Sequence, residues 1–109
     1  MKTPEQQSIL AAKILGWKKA YAGIWISPPR DGISYEYTAH PNFHTDANAS
    51  LTLIEWMEKK DYRVEIEKEP DWQWKAEFML LDGLEPFVAP TFPLAVLGAF
   101  LRANRKDVE

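Results

Sequence analysis

The stretch Tyr62-Arg63-Val64-Glu65-Ile66-Glu67-Lys68-Glu69-Pro70-Asp71-Trp72-Gln73-Trp74-Lys75-Ala76-Glu77-Phe78-Met79-Leu80 decides the fold. Apolar and charged residues alternate on both sides of Glu69-Pro70, the period-2 pattern of a half-buried antiparallel pair. Folded at Glu69-Pro70, the stretch sets Arg63 opposite Glu77 and Glu65 opposite Lys75 on one face. The other face then matches Tyr62 with Phe78, Val64 with Ala76 and Ile66 with Trp74. A slip of one residue would turn Trp72, Trp74, Ala76, Phe78 and Leu80 toward water, so the pattern specifies a β-hairpin with one wet side and one core side.

Working outward, three helices frame this hairpin. Thr3-Pro4-Glu5-Gln6 combines an N-cap hydroxyl, proline at the first helical position and a glutamine placed to return the capping bond. The helix it opens presents Ile9, Leu10, Ala12, Ile14 and Leu15 and ends at Gly16. A second helix starts at an N-cap Asp46, or Thr45 before it, and runs to about Lys60, with Ala47, Leu51, Ile54 and Met57 at helical spacing and Leu53 and Trp56 widening the stripe. A third starts at Thr91 with Pro93 in its first turn and continues to Ala103. Leu94, Val96, Leu97, Phe100 and Leu101 are its inward residues, leaving Ala95, Gly98, Ala99 and Arg102 as a small-residue back face. That back face would let a second copy approach closely, and a symmetric homodimer is the expected assembly.

Between the first two helices, Tyr21 to Ser27 reads as a short strand stopped by Pro28-Pro29-Arg30-Asp31-Gly32. Ile33, Tyr35 and Tyr37 alternate with Ser34, Glu36 and Thr38, so a second extended piece follows, either paired with the first or lying over the surface as a loop. Asp82 to Pro90, with Gly83 and Pro86, reads as a loop. The predicted class is therefore α+β: a small antiparallel sheet that includes the 62–80 hairpin, packed by three helices in an α-β-α layered sandwich.

The chain has 109 residues, enough for one core and a single domain over 1–109. Its apolar runs fall far short of the roughly 18 residues that cross a bilayer, and Thr3-Pro4-Glu5 does not resemble a signal peptide, so a cytoplasmic location without membrane contact is expected. There is no cysteine, which removes disulfides and thiolate metal sites. The net charge is −3, with basic residues scattered apart from Lys18-Lys19 and Arg102, Arg105 and Lys106. Nucleic acid rewards a contiguous basic face, so no nucleic-acid partner is expected, and the two basic groups read as cations at helix C-termini.

Several local signatures resemble the phage ABA sandwich domain family of small bacteriophage and prophage proteins. They are Ala12-Lys13-Ile14-Leu15-Gly16-Trp17, Thr45-Asp46-Ala47-Asn48-Ala49, Trp74-Lys75-Ala76-Glu77-Phe78 and Ala89-Pro90-Thr91-Phe92-Pro93-Leu94-Ala95. Leu94 stands where family members tend to carry glutamate, and the segment from Arg30 to Phe43 is longer and more aromatic than usual. The resemblance implies the layered fold and a phage or prophage origin, and carries over no catalytic or ligand residues.

No residue set specifies a reaction. His40, His44 and Asp46 lie close in sequence, but zinc needs three or four converging ligands, and the simpler reading is a helix cap beside two loop histidines; no metal or cofactor is expected. The carboxylates Asp61, Glu65, Glu67, Glu69 and Asp71 read as a solvated face. The aromatic loading points further. Core packing claims Trp74, Trp17 and Trp25. Arg30, Tyr35, Tyr37, His40, Phe43 and His44 remain as the candidate ligand-binding set, able to stack on a flat heterocycle while a guanidinium holds a phosphate. With the phage resemblance, the first functional expectation is a non-enzymatic accessory protein that sequesters a small nucleotide-like ligand, such as a signal of host antiviral defence. The alternative is a module that inhibits or redirects a host protein, and a nucleotide-acting enzyme ranks third. A concave pocket walled by Arg30, Tyr35 and Tyr37 would favour a ligand; a surface patch would favour a protein partner.

Overall fold

The computed structural model describes residues 2–79 and 86–104. Leu80, most of the loop beginning at Asp82, and Arg105 and Lys106 lie outside the described residues. The element order is α1 (Pro4–Leu15), β1 (Lys18–Lys19), β2 (Trp25–Ile26), β3 (Glu36–Tyr37), α2 (Ala47–Glu58), β4 (Arg63–Lys68), β5 (Trp74–Met79), β6 (Phe87–Ala89) and α3 (Phe92–Ala103). The strands form two antiparallel three-stranded sheets, β1-β2-β3 and β4-β5-β6, so the α+β class holds. Among the described residues no helix is long and apolar enough to cross a membrane.

Local chemistry sets the helix ends. Thr3 and Gln6 close a reciprocal capping box on α1, and Gly16 ends the helix at φ 104°. Asp46 caps α2 through the Asn48 N–H, and Thr91 caps α3 through the Leu94 N–H. The buried residues of α1 are Ser8, Ala11, Ala12 and Leu15, a tighter stripe than the apolar residues alone mark out. On α2 the stripe is Ala49, Ser50, Leu53, Ile54 and Met57, whereas Ala47 and Leu51 face solvent. The expected Leu53, Ile54 and Met57 stand in the stripe, but at its N-terminal end Ala49 and Ser50 take the places expected of Ala47 and Leu51, the Ser50 hydroxyl being satisfied by its bond back to the Asp46 carbonyl.

The hairpin forms with the expected faces and a different register. Val64 pairs with Phe78, Ile66 with Ala76 and Glu67 with Lys75, two residues along from the expected match. A shift of two preserves which side chains face the core and changes every partner. Its cause is the turn, which spans Glu69 to Gln73: the Glu69 N–H donates to the Gln73 carbonyl at 2.7 Å, and Trp72 takes φ 67°. Trp72 is accordingly 78% exposed and does not join the core face. Lys75 bridges Glu67 at 3.0 Å and Glu69 at 3.4 Å, and hydrogen bonds to these carboxylates raise its pKa above the usual lysine value. Glu65 faces Glu77, and Arg63 faces Met79.

A third strand, β6, was not legible in what reads as a proline-flanked loop. It pairs with β5 through Trp74↔Ala89, Lys75↔Val88 and Ala76↔Phe87. Its presence reverses the reading of α3. Ala95, Gly98 and Ala99 are buried together with Val96, Leu97, Phe100 and Leu101, so the small-residue face points into the molecule. The Phe87 ring lies so close to Gly98 that a methyl group there would collide with Cδ1, Cε1 and Cζ. The Arg102 guanidinium sits 5.1 Å from the centre of the same ring and donates to the Pro86 carbonyl. The surface on which a second copy was expected is thus occupied by this chain's own sheet.

Lys18-Lys19, read as a helix end, lies past the α1 cap on β1. Tyr21 is not in a strand either: Ala22 and Gly23 take φ 52° and 76°, making a tight turn between β1 and β2.

Two substitutions test this packing. Gly98→Ala should destabilise by roughly 1–3 kcal/mol through overpacking, and Phe87→Ala should remove most of that additional cost when the two are combined. Denaturant midpoints of the four-member cycle measure the coupling. Ser8 is fully buried on α1, accepting from the Phe43 N–H at 2.9 Å and donating to the Pro41 carbonyl at 3.3 Å. Ser8→Ala removes both buried bonds and leaves the Phe43 N–H only its 3.1 Å bond to the Pro41 carbonyl, and should cost about 1–3 kcal/mol by the same measurement.

Candidate functional site

The segment from Trp25 to Tyr37 is a hairpin arm. Trp25 pairs with Tyr37 and Ile26 with Glu36, and the Ser27 N–H donates to the Tyr35 carbonyl at 2.9 Å. Further out, Arg30 and Ile33 exchange both backbone bonds around Asp31-Gly32, whose φ values of 53° and 79° make a tight turn of the hairpin-favoured hand. Between these anchor points Pro28 and Pro29 lie opposite Ser34 alone. Two residues opposing one is a β-bulge, a position that tolerates prolines lacking an N–H. The second extended piece is therefore paired with the first rather than lying free.

Every residue from 29 to 39 is exposed. Ile33 is 53% exposed, Tyr35 54% and Tyr37 48%, while Tyr21 on the adjacent turn reaches 73%. Ile33, Tyr35 and Tyr37 stand at alternate positions of the returning side of the arm, with Tyr21 on the adjacent turn, and give the arm an exposed apolar and aromatic surface. The base of the arm is fixed by rings: Tyr37 meets Trp17 at 5.4 Å, and buried Trp25 receives His40 edge-on at 4.8 Å.

The six expected site residues separate into two groups. Arg30, Tyr35 and Tyr37 lie on the arm. His40, Phe43 and His44 belong to its root, where the chain returns to the core. His40 is held by Trp25 and by its Nδ1, 2.8 Å from the Pro41 carbonyl oxygen. Phe43 is completely buried in the core, pinned at its backbone by Ser8, so it forms no part of an exposed surface. His44 turns the other way, its Nε2 3.9 Å from Glu5 and its Nδ1 shielded with no hydrogen-bond partner. Asp46 is committed to the α2 cap, so the two histidines and this carboxylate do not converge. Among the described residues no group of three or more potential metal ligands comes together.

His44 also borders an open cleft of about 370 Å³, together with Pro4, Glu5, Thr45, Thr91, Pro93 and Leu94. The first turns of α1 and α3 and the approach to α2 meet there. A second open cleft of similar volume lies at the hairpin turn, lined by Glu69, Pro70, Asp71, Gln73 and Val88. Neither is walled by Arg30, Tyr35 or Tyr37. Sequence reading missed Ile33 and Tyr21 as members of the exposed set. The Asp31-Gly32 turn signalled a hairpin and so pointed to Ile33, but no signal marked Ala22 as a turn residue.

No family model matches the sequence, and no curated protein matches it. Among solved structures, the chain is similar to a phage protein from Bacillus cereus ATCC 14579, with a TM-score of 0.74 and 19% identity over 100% of this chain and 94% of the other. At that identity the likeness is one of fold: the chain has, along its whole length, the fold of a phage protein.

Proposed function

We propose that this chain is a non-enzymatic phage accessory protein, of the kind its local signatures resemble, and that it captures a host protein through the β2–β3 arm. The observation that carries this reading is the exposure of Ile33, Tyr35 and Tyr37 on an arm whose base is locked by Trp17, Trp25 and His40. Tyrosines give large contact area at low entropic cost, and a preorganised hairpin loses little freedom when it docks. Residue Glu36 adds a backbone edge: with 25↔37 and 27↔35 as the bonded pairs, its own N–H and C=O face away from β2, where an extended segment can pair with them. A small ligand held by Arg30, Tyr35 and Tyr37 would need those groups to wall a concavity, and they instead lie along an exposed arm.

One observation favours small-ligand binding at a different place. The cleft beside His44 is lined by Glu5, Thr45 and Thr91 where helix starts meet, a setting suited to a small polar molecule. The Glu5 carboxylate at its rim disfavours an anion there.

Native mass spectrometry of the protein isolated from host cells separates the two: a protein-sized mass increment supports partner capture, and an increment of small-molecule size supports the cleft. Tyr35→Ala combined with Tyr37→Ala should leave the melting temperature within about 4 °C, the shift that about 1 kcal/mol produces in a domain of this size, and should abolish the protein-sized increment. Retention of the complex by the double variant would contradict the proposal.

A further inference from the structure

The wet face of the second sheet carries two electrostatic mismatches on its edge strand. Glu65 lies directly opposite Glu77, a like-charge pair that costs stability, while Arg63 lies opposite Met79 and has no anionic partner among the described residues. The remaining charges of this face are satisfied, since Lys75 serves both Glu67 and Glu69.

The same strand has an open backbone edge. β4 is the outer strand of its sheet. The Glu69 N–H bond to the Gln73 carbonyl continues the β4–β5 register, and bonded residues alternate along an antiparallel ladder, so Glu65 and Glu67 direct their backbone groups to β5. Val64, Ile66 and Lys68 therefore direct their N–H and C=O groups outward. Tyr62, in phase with them, gives its N–H to the Met57 carbonyl, and no described residue bonds the backbone of the other three beyond the strand. The six-residue strand contains no proline, and its charged side chains project from the sheet face rather than guarding the edge.

The geometry points to a second copy of this chain as the partner of that edge, with two β4 strands pairing antiparallel about a two-fold axis between their Val64 residues. In this register Val64 meets Val64 of the second copy as a bonded pair, and half-buried Tyr62 meets Ile66 of the second copy. Arg63 then lies opposite Glu65 of the second copy, twice by symmetry. Each dimer thus places the unpaired cation beside the carboxylate that Glu77 repels. Moving the axis by one residue, to Glu65, would instead oppose two glutamates, so the charges select one register as well as one partner. The surface lies on a different sheet from the aromatic arm, and the inference stands apart from the arm's proposed role.

Sedimentation velocity from low to high micromolar concentration should show a concentration-dependent dimer. Arg63→Glu or Glu65→Arg alone should weaken it roughly tenfold, since each places like charges at both pairs, and the double exchange should restore affinity to near the parent value. Both residues are exposed, so the fold tolerates these changes. Because the chain has no cysteine, Val64→Cys introduces a unique thiol, and bonded antiparallel partners lie about 5.5 Å apart at Cα, within disulfide range. Oxidised Val64→Cys should run as a covalent dimer. A monomer at every concentration, a dimer indifferent to the single charge reversals, failure of the double exchange to restore it, or absence of the crosslink would each overturn the proposal.

Discussion

The close approach of the Phe87 ring to Gly98 is the constraint on which the rest of the structure depends. A helix without a side chain at that position lets a sheet lie nearly against its backbone, and the small side chains of Ala95, one turn earlier, and of the adjacent Ala99 extend the same allowance. β6 brings Phe87 to the helix, β5 is held beside β6, and β4 beside β5. On the other sides of α3, Val96, Leu97, Phe100 and Leu101 are taken up by the core that α1 and α2 complete, with Trp56 packing edge-on to Phe100 at 5.6 Å. A helix buried all round is uncommon in a chain of 109 residues, and it explains why so short a chain gathers its core around one element.

What the sequence made legible follows from where local chemistry dominates. The caps at Thr3, Asp46 and Thr91 and the left-handed stop at Gly16 are decided within a few residues, and all four stand where the residues place them. The faces of the hairpin were legible because alternation fixes parity. Its register was not, because the turn uses Trp72 at φ 67°, a conformation for which glycine or asparagine would have been the signal. β6 has three residues between Pro86 and Pro90, too few for a period to show. Missing it led directly to reading Ala95, Gly98 and Ala99 as an outer face. Small residues mark a close neighbour, and the sequence alone does not say whether that neighbour belongs to the same chain.

The candidate site was half legible for a related reason. Arg30, Tyr35 and Tyr37 fall on the exposed arm, whereas Phe43, equally aromatic and a few residues on, is sealed in the core. The difference lies in Ser8, one side chain on α1 that receives the Phe43 N–H and bonds the Pro41 carbonyl, drawing the root of the arm inward. That contact joins residues 35 positions apart, and nothing in the composition of the loop announces it. The result is a root held by buried hydrogen bonds and ring contacts, and a tip whose side chains are exposed.

Amide hydrogen exchange measures the central role of α3, because burial on every side makes it the last element to open. The amides of Val96 to Leu101 should exchange only through global unfolding, with protection equal to the stability measured by denaturant, while those at the exposed arm tip around Asp31 and Gly32 should exchange rapidly. Protection of α3 no greater than that of the arm would contradict it.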